Sequence, residues 1–439
     1  MKLSTLRKIY KAIPSKYLSP VTNIPFSVFC GAEYRKQISL LESYPKLSSN
    51  LKQKLQDDLT IDYLSESIIH TRFYRDFAKK NRIKRITSKE QLLEFPIIGK
   101  EQLESDLDWF IDDRYRNKSF FVSTGGTTGK QTRLLMSNSA FSKEWAFVND
   151  YLSSEGVDIN SRRICLRGSD GISSDKLIGY NHLYKEIMIS PFRLNQQNLK
   201  YHINEIIEYK PKWIHGYPSS VSEFGNALSE IDIDTSIITN ILLVSERLMP
   251  QQELSIKKQF PNCKISTFYG MTERVIFAPS ENGSLIPHPL YGVTEEIDGQ
   301  LVGTGFINKA TRLIRYCTGD TAEVVKSSDG FVESITNVTG RWGKEQLKGK
   351  SGVNISMTAL NIHSNILENV VKYQFFQENY GECVLLIQPG HGFKPGEEFK
   401  IASEFQNKTG SELIVKPKIV KDIPLTKRGK HQFIKTNCV

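Results

Sequence analysis

Apolar residues recur at three- and four-residue spacing, with polar residues between them, through residues 35–44, 47–59 and 61–81. That period predicts helices, with Pro45 separating the first two. Pro96 breaks the pattern, and Phe95-Pro96-Ile97-Ile98-Gly99-Lys100 reads as an extended connector. Phe120-Phe121-Val122 predicts a short strand, 133–137 its return and 139–151 a helix. Further strands are expected at 162–168, 212–217, 236–244 and 264–270, and helices at 199–209, 221–231 and 251–260. Strands alternating with helices at this interval predict a mostly parallel α/β sheet. Beyond residue 275 the helical period stops, and 283–325 and 330–338 read as short strands between Gly, Asp and Asn turns. The remainder mixes both periods, at 365–377, 383–387, 397–409 and 412–419, which suits a small α+β domain. The expected organisation is a helical lead-in over 1–95, a core over 96–339 and a small C-terminal domain over 340–439. A length of 439 residues is too great for one hydrophobic core and agrees with that division.

Composition narrows the class. Hydrophobic residues make up 39% and charged residues 24%, so a globular chain is expected rather than a disordered one. No apolar run approaches the roughly 18 residues of a membrane span. The start, Met1-Lys2-Leu3-Ser4-Thr5, carries basic character but no continuous apolar core, so no signal peptide is expected and the location expected is cytoplasmic. Cys30, Cys165, Cys263, Cys317, Cys383 and Cys438 show no C-x-x-C spacing, which indicates neither a zinc site nor a redox pair. The net charge of +10 would suit nucleic acid, an anionic membrane surface or an anionic small ligand. The lysines are spread along the chain and no aromatic-interleaved basic run marks an RNA platform, so no nucleic-acid partner is expected.

The candidate chemistry starts at Ser123-Thr124-Gly125-Gly126-Thr127-Thr128-Gly129-Lys130. Glycines let the backbone approach a ligand closely, successive free N–H groups form an anion-binding concavity, and Lys130 adds a positive charge. This is the composition of a phosphate-holding loop. It is not a Walker loop, G-x-x-x-x-G-K-[ST]: Thr124 stands at the first glycine position and Gln131 follows the lysine. Four further stretches follow: Tyr269-Gly270-Met271-Thr272-Glu273, Tyr316-Cys317-Thr318-Gly319-Asp320, Gly340-Arg341, and Pro424-Leu425-Thr426-Lys427-Arg428-Gly429-Lys430.

In this order the five stretches resemble the adenylate-forming superfamily, which includes acyl–coenzyme A synthetases, peptide-synthetase adenylation domains and luciferase. His215-Gly216-Tyr217-Pro218-Ser219-Ser220, Leu313-Ile314-Arg315-Tyr316 and Gly352-Val353-Asn354-Ile355 are similar to the phenylacetate–coenzyme A ligase branch and its capsule-biosynthesis relatives. The resemblance implies an α/β fold: a large adenylate-forming domain of parallel α/β sheets with a β region, and a small α+β lid. It implies ATP-dependent activation of a carboxylic or amino acid as an acyl-adenylate, with pyrophosphate released. Transfer then goes to coenzyme A, a carrier protein or a sugar amine or hydroxyl, and polysaccharide biosynthesis is one setting for it. The alternative is a non-catalytic or altered-acceptor relative that binds adenine nucleotide.

By the same resemblance, Ser123 to Lys130 would hold the β/γ-phosphates and Glu273 would bind Mg²⁺. Thr272 would bond the α-phosphate, Tyr269 with Gly270 would lie against the adenine, and Asp320 would accept from the ribose hydroxyls. Arg341 would bind the ribose–phosphate side, and Lys430 would bridge the attacking carboxylate and the α-phosphate. The acid pocket is expected around His215, Tyr217, Pro218, Ser219, Ser245, Glu246, Phe268 and Met271. The sequence departs from the family after Gly340-Arg341, where Gly343, Lys344 and Glu345 stand in place of the usual aspartates. A pivot between Gly340 and Glu345 is expected there; retention of a coenzyme A site and homodimer formation are left open.

Overall fold

The computed structural model describes residue 13 and residues 18–123, 132–167, 172, 176–231, 233–245, 248, 250–339, 346–357, 359–360, 362, 365–390, 392–424 and 433–438. The chain is mixed α/β and divides into two compact units, one of 1–124, 132–159 and 267–341, the other of 125–131, 160–266 and 342–439.

The first unit opens with helices α1 (Phe26–Ser43), α2 (Ser49–His70) and α3 (Arg72–Lys80). α2 is one helix where two were expected. It runs through Thr60, whose hydroxyl donates back to the Gln56 carbonyl at 2.8 Å, so this polar position continues the helix. The Ser48 side chain caps its start by accepting from the Leu51 N–H. The break comes instead at Thr71, whose backbone is extended. Tyr63 and Tyr74 project from α2 and α3 and hold a distant stretch: the Leu313 N–H donates to the Tyr63 hydroxyl at 3.0 Å, and the Ile314 N–H to the Tyr74 hydroxyl at 2.8 Å. Arg312 beside them forms a buried pair with Asp112 at 3.0 Å. These contacts fix the segment that leads into the strand carrying Tyr316 and Asp320.

Helix α4 (Lys100–Ser105) precedes an antiparallel hairpin of β1 (Ser119–Ser123) and β2 (Arg133–Ser137), and α5 (Asn138–Ser154) follows it. The β region expected after residue 275 is present as β9 (Phe277–Glu281), β10 (Ser284–Leu285), β11 (Gly292–Ile297), β12 (Gln300–Gly305), β13 (Tyr316–Lys326) and β14 (Val332–Thr339). These strands and residues 267–270 of β8 (Lys264–Gly270) follow the order β11-β12-β13-β14-β10-β9-β8, antiparallel throughout. Gly305 on β12 is required by close approach: a Cβ there would lie 2.0 Å from the Arg274 carbonyl oxygen.

The second unit holds the parallel sheet. Strands β3 (Arg163–Leu166), β5 (Glu186–Ile189), β6 (Trp213–Gly216) and β7 (Asn240–Leu243) are parallel, and β4 (Ile178–Asn181) runs antiparallel at the edge, in the order β4-β5-β3-β6-β7. Helix α6 (Gln196–Tyr209) leads from β5 to β6, α7 (Pro218–Leu228) from β6 to β7, and α8 (Pro250–Gln259) follows β7. Ile164, Ile187, Ile214 and Ile241, one from each parallel strand, are buried in one apolar cluster with Val221 and Phe224 of α7. The β4–β5 hairpin was not foreseen; the buried run of β5 opens on a charged residue, Glu186.

The C-terminal region is α+β, as expected. β15 (Gln346–Lys348) pairs with β16 (Asn354–Ser356). A four-stranded sheet of β17 (Val370–Asn379), β18 (Glu382–Pro389), β19 (Ile414–Ile419) and β20 (Ile434–Thr436) runs in the order β19-β18-β17-β20. Helix α9 (Glu397–Thr409) buries Ile401, Ala402 and Phe405 among its apolar side chains. Phe192, from the loop before α6, is 3% exposed in that same C-terminal core. Arg193 beside it donates to the Ser411 hydroxyl at 3.1 Å.

Candidate functional site

The stretch Tyr269-Gly270-Met271-Thr272-Glu273 leaves the end of β8 and turns at once. The Arg274 N–H donates to the Met271 carbonyl at 3.2 Å, and Arg274 itself takes the left-handed backbone conformation, with φ at 60°. A non-glycine residue rarely holds that conformation unless its surroundings over-determine it. Here they do. The Arg274 guanidinium pairs with Glu144 of α5, and the Tyr291 hydroxyl donates to the same carboxylate. The Arg274 carbonyl meets Gly305 on its other side. The turn that presents Thr272 and Glu273 is thus held from α5 and from β12.

The second stretch lies on β13, and side chains join it to the first. The Tyr269 hydroxyl donates to Oδ2 of Asp320 at 2.9 Å, and the Tyr316 hydroxyl donates to Oε1 of Glu273 at 3.1 Å. Gly319 supplies a positive φ of 73° at the bend before Asp320, whose N–H donates to the Thr318 hydroxyl at 3.1 Å. Burial, together with the adjacent Asp320 carboxylate, pushes the Tyr269 phenol well above its usual range, so it stays a donor. Burial also pushes Glu273 above the ordinary carboxylate range; the Tyr316 hydrogen bond and the charge of Lys100 oppose the rise.

Lys100 belongs to a third part of the site. From α4 its ammonium reaches Glu104 at 3.4 Å, and Glu104 accepts from the Thr132 hydroxyl at 2.6 Å. Thr132 directly precedes β2, so α4 stands beside the start of that strand. Ser123 ends β1 opposite Arg133. Thr124 to Lys130 lie outside the described residues, as do Glu246, Arg341 and Lys430, the 340–345 stretch and the Ser219 side chain.

The remaining expected pocket residues fall in both units. Phe268 packs on Phe277 with ring centroids 4.9 Å apart, and Met271 packs on the core of the first unit. In the second unit, His215 and Tyr217 occur at the C-terminal end of β6, and Pro218 opens α7. Ser245 follows β7 with a positive φ of 67°. His215 is stacked on Trp213, and burial, with Arg167 and Arg163 adding to it, holds its imidazole well below its usual range, in the neutral form.

Lys100, Glu144, Arg274 and Tyr316 were not picked out as site residues from the sequence. Tyr316 sits inside the Tyr-x-Thr-Gly-Asp stretch, and Lys100 directly follows Gly99 in the connector, so both carried a local signal. Glu144 and Arg274 carried none, since their partnership spans 130 positions. Among the described residues no cluster of three His, Cys, Asp or Glu side chains could by itself hold a metal. A single buried carboxylate such as Glu273 nonetheless fits Mg²⁺, which takes one or two protein carboxylates and fills its shell with phosphate oxygens and water. No described helix is long and apolar enough to cross a membrane.

Several known proteins are similar to this chain. A family described as the CapK C-terminal domain matches residues 347–437. Protein CapK of Staphylococcus aureus is 24% identical over 458 residues, spanning 98% of this chain and 99% of that protein. The structure of 2-hydroxyisobutyryl-CoA ligase with 2-HIB-AMP and CoA in the thioesterification state matches with a TM-score of 0.52 and 14% identity, covering 87% of this chain and 90% of that one. The same ligase in the postadenylation state with R3-HIB-AMP matches with a TM-score of 0.50 and 13% identity, covering 89% of this chain and 90% of that one.

Proposed function

Because the chain has the fold of the adenylate-forming ligases, we propose that it uses ATP to convert a carboxylic acid into an acyl-adenylate, releases pyrophosphate and passes the acyl group to an acceptor. The observation that carries this reading is the pairing of the two Tyr-containing stretches: Tyr269 with Asp320 and Tyr316 with Glu273, across 51 and 43 positions of the chain. That arrangement puts an aromatic ring, a hydroxyl and two carboxylates in one cluster, which are the groups a nucleotide needs.

In this reading Asp320 accepts from the ribose hydroxyls, with Tyr269 holding the carboxylate in place and setting its own ring against the adenine. Thr272 donates to the α-phosphate. Glu273 would hold Mg²⁺, which when bound would supply positive charge to the phosphates. Tyr316 orients that carboxylate, and Lys100 adds a cation beside it. The stretch from Ser123 to Lys130 holds the β/γ-phosphates, Arg341 binds the ribose–phosphate side, and Lys430 bridges the acid and the α-phosphate. Donors aimed at developing charge supply most of the rate acceleration in such a site.

Residues 340–439 act as the mobile lid. The acceptor is coenzyme A, which one matched ligase structure contains, or a carrier protein or sugar, the last in keeping with the likeness to CapK. The protein works in the cytoplasm, where both ATP and reduced thiols are maintained. The test is pyrophosphate release from Mg²⁺-ATP with a panel of carboxylic and amino acids, with AMP measured after an acceptor is added. Nucleotide binding without pyrophosphate release from any acid would refute it.

A further inference from the structure

The four-stranded sheet of the C-terminal region has two unlike faces. Tyr373, Phe375, Leu385, Ile387 and Val415 belong to one, where they are buried in the same core as Ile401, Ala402 and Phe405 of α9. Strand alternation sends their neighbours to the other face. There Phe376, Val384 and Leu386 are half-buried, and Ile414 is 51% exposed.

The ladder aligns this second face into rows. Phe376 is opposite Lys435 on one side and Val384 on the other, and Val384 is opposite Lys416. One row thus reads Lys435-Phe376-Val384-Lys416 across all four strands. In the next row Leu386 has Lys418 beside it. An apolar centre therefore carries a lysine at each edge. The Lys435 ammonium stands 5.8 Å from the centroid of the Phe376 ring, and Lys416, 57% exposed, reaches Glu382 at 2.7 Å. Between Ile414 and Thr436 the sequence holds seven lysines and arginines and one acid, Asp422. Neighbouring strands lie about 4.8 Å apart, so four of them span roughly 14 Å. One α-helix is about 10–12 Å across, so a single helix laid along the strands would cover the apolar centre and bring its two flanks to the lysines. An apolar centre with a charged rim is the anatomy of a protein interface, and complementary charge on the partner would be acidic. A bilayer suits the face less well. Half-buried between longer lysine side chains, the apolar residues cannot reach into it, whereas a helix can settle among them.

We propose that this face docks an acidic amphipathic helix of a carrier protein. The proposal rests on the acyl-activation reading, and among the three acceptor classes which that reading leaves open it selects the carrier protein. Coenzyme A and a sugar have no helix to lay along the strands. Phe376, Val384 and Leu386 then form the apolar floor of the interface, and Lys416, Lys418 and Lys435 its rim.

The test is calorimetric titration of the full chain with holo-acyl carrier protein, a small acidic helical protein. Binding is expected at about 50 mM salt, and about 10-fold weaker binding at about 300 mM, where screening is stronger. Lys416→Glu combined with Lys418→Glu should weaken binding about 10-fold at the lower salt, since like charges then meet at the rim. Leu386→Gln should weaken it by about 10-fold at either salt, because the contact it removes is apolar. Circular dichroism confirms that the variants fold, and Val384→Thr replaces Leu386→Gln if that variant does not. Absence of binding, binding insensitive to the rim variants, or binding to phosphatidylglycerol vesicles in place of the carrier protein overturns the proposal. Pyrophosphate release separates the two readings: docking without release from any acid leaves the surface standing and refutes acyl activation, whereas release without docking does the reverse.

Discussion

Glu273 titrates against its own burial. Its folded-state pKa lies above the ordinary carboxylate value because burial penalises the charge. A raised carboxyl stabilises the fold fully below the unfolded pKa of about 4.3 and loses that contribution as the pH rises through the folded value. Glu273→Gln should therefore leave stability unchanged at the acidic end and increase it at neutral pH without ligand, measured by urea unfolding across pH. The same substitution should abolish the Mg²⁺ requirement of nucleotide binding. Wild-type Mg²⁺ affinity should fall with acidification at a higher pH than an exposed carboxylate would show, and Tyr316→Phe should move that midpoint higher still, since it removes a hydrogen bond that favours the ionised form. Asp320→Ala should weaken ATP and AMP alike by about 10-fold or more in calorimetry, the scale of a single charge-assisted hydrogen bond. Residues of this kind were legible in the sequence because each lies in a short stretch whose order along the chain carries information. Arg274 was not, because the partner that holds its side chain, Glu144, stands 130 positions away.

At the scale of elements, the site turn depends on a strand that carries none of the candidate site residues. Gly305 on β12 leaves no room for a Cβ against the Arg274 carbonyl. Gly305→Ala should push the turn outward, cost about 1–3 kcal/mol of stability through overpacking, and weaken Mg²⁺-dependent nucleotide binding together with it. Stability lost with nucleotide affinity unchanged would show that the turn absorbs the strain without moving Glu273. Arg274→Ala breaks a pair in which Glu144 is 6% exposed, so a loss of about 3 kcal/mol is expected in denaturant unfolding. Periodicity reported the elements themselves well: β8 and α9 begin and end where the pattern places them. It failed at Thr60, where a polar residue interrupted the apolar repeat while its hydroxyl satisfied itself on the helix backbone. It also failed at β5, whose buried run opens on Glu186, a charge that belongs to the interior only because Arg163 pairs with it.

At the scale of the whole molecule, the proposed chemistry needs Lys430 of the C-terminal region. Lys430→Ala should remove most single-turnover adenylate formation while ATP affinity stays nearly constant, because the contact is made mainly in the transition state. Quench-flow measurement of pyrophosphate checks the first part and calorimetry the second. The fold class was readable from the alternation of strands and helices, whereas the place of Phe192 was not, since nothing local marks one loop phenylalanine as belonging to a core assembled from residues far downstream. That loan has a consequence for how the protein breathes. The C-terminal core cannot loosen without releasing Phe192, and Arg193 ties the same loop to Ser411. Amide protons of β17, β18 and the 190–194 loop should therefore exchange with solvent in one cooperative opening. Phe192→Ala, at a cost of about 3 kcal/mol, should separate that single event into two, the loop becoming labile on a faster clock than the strands it once sealed.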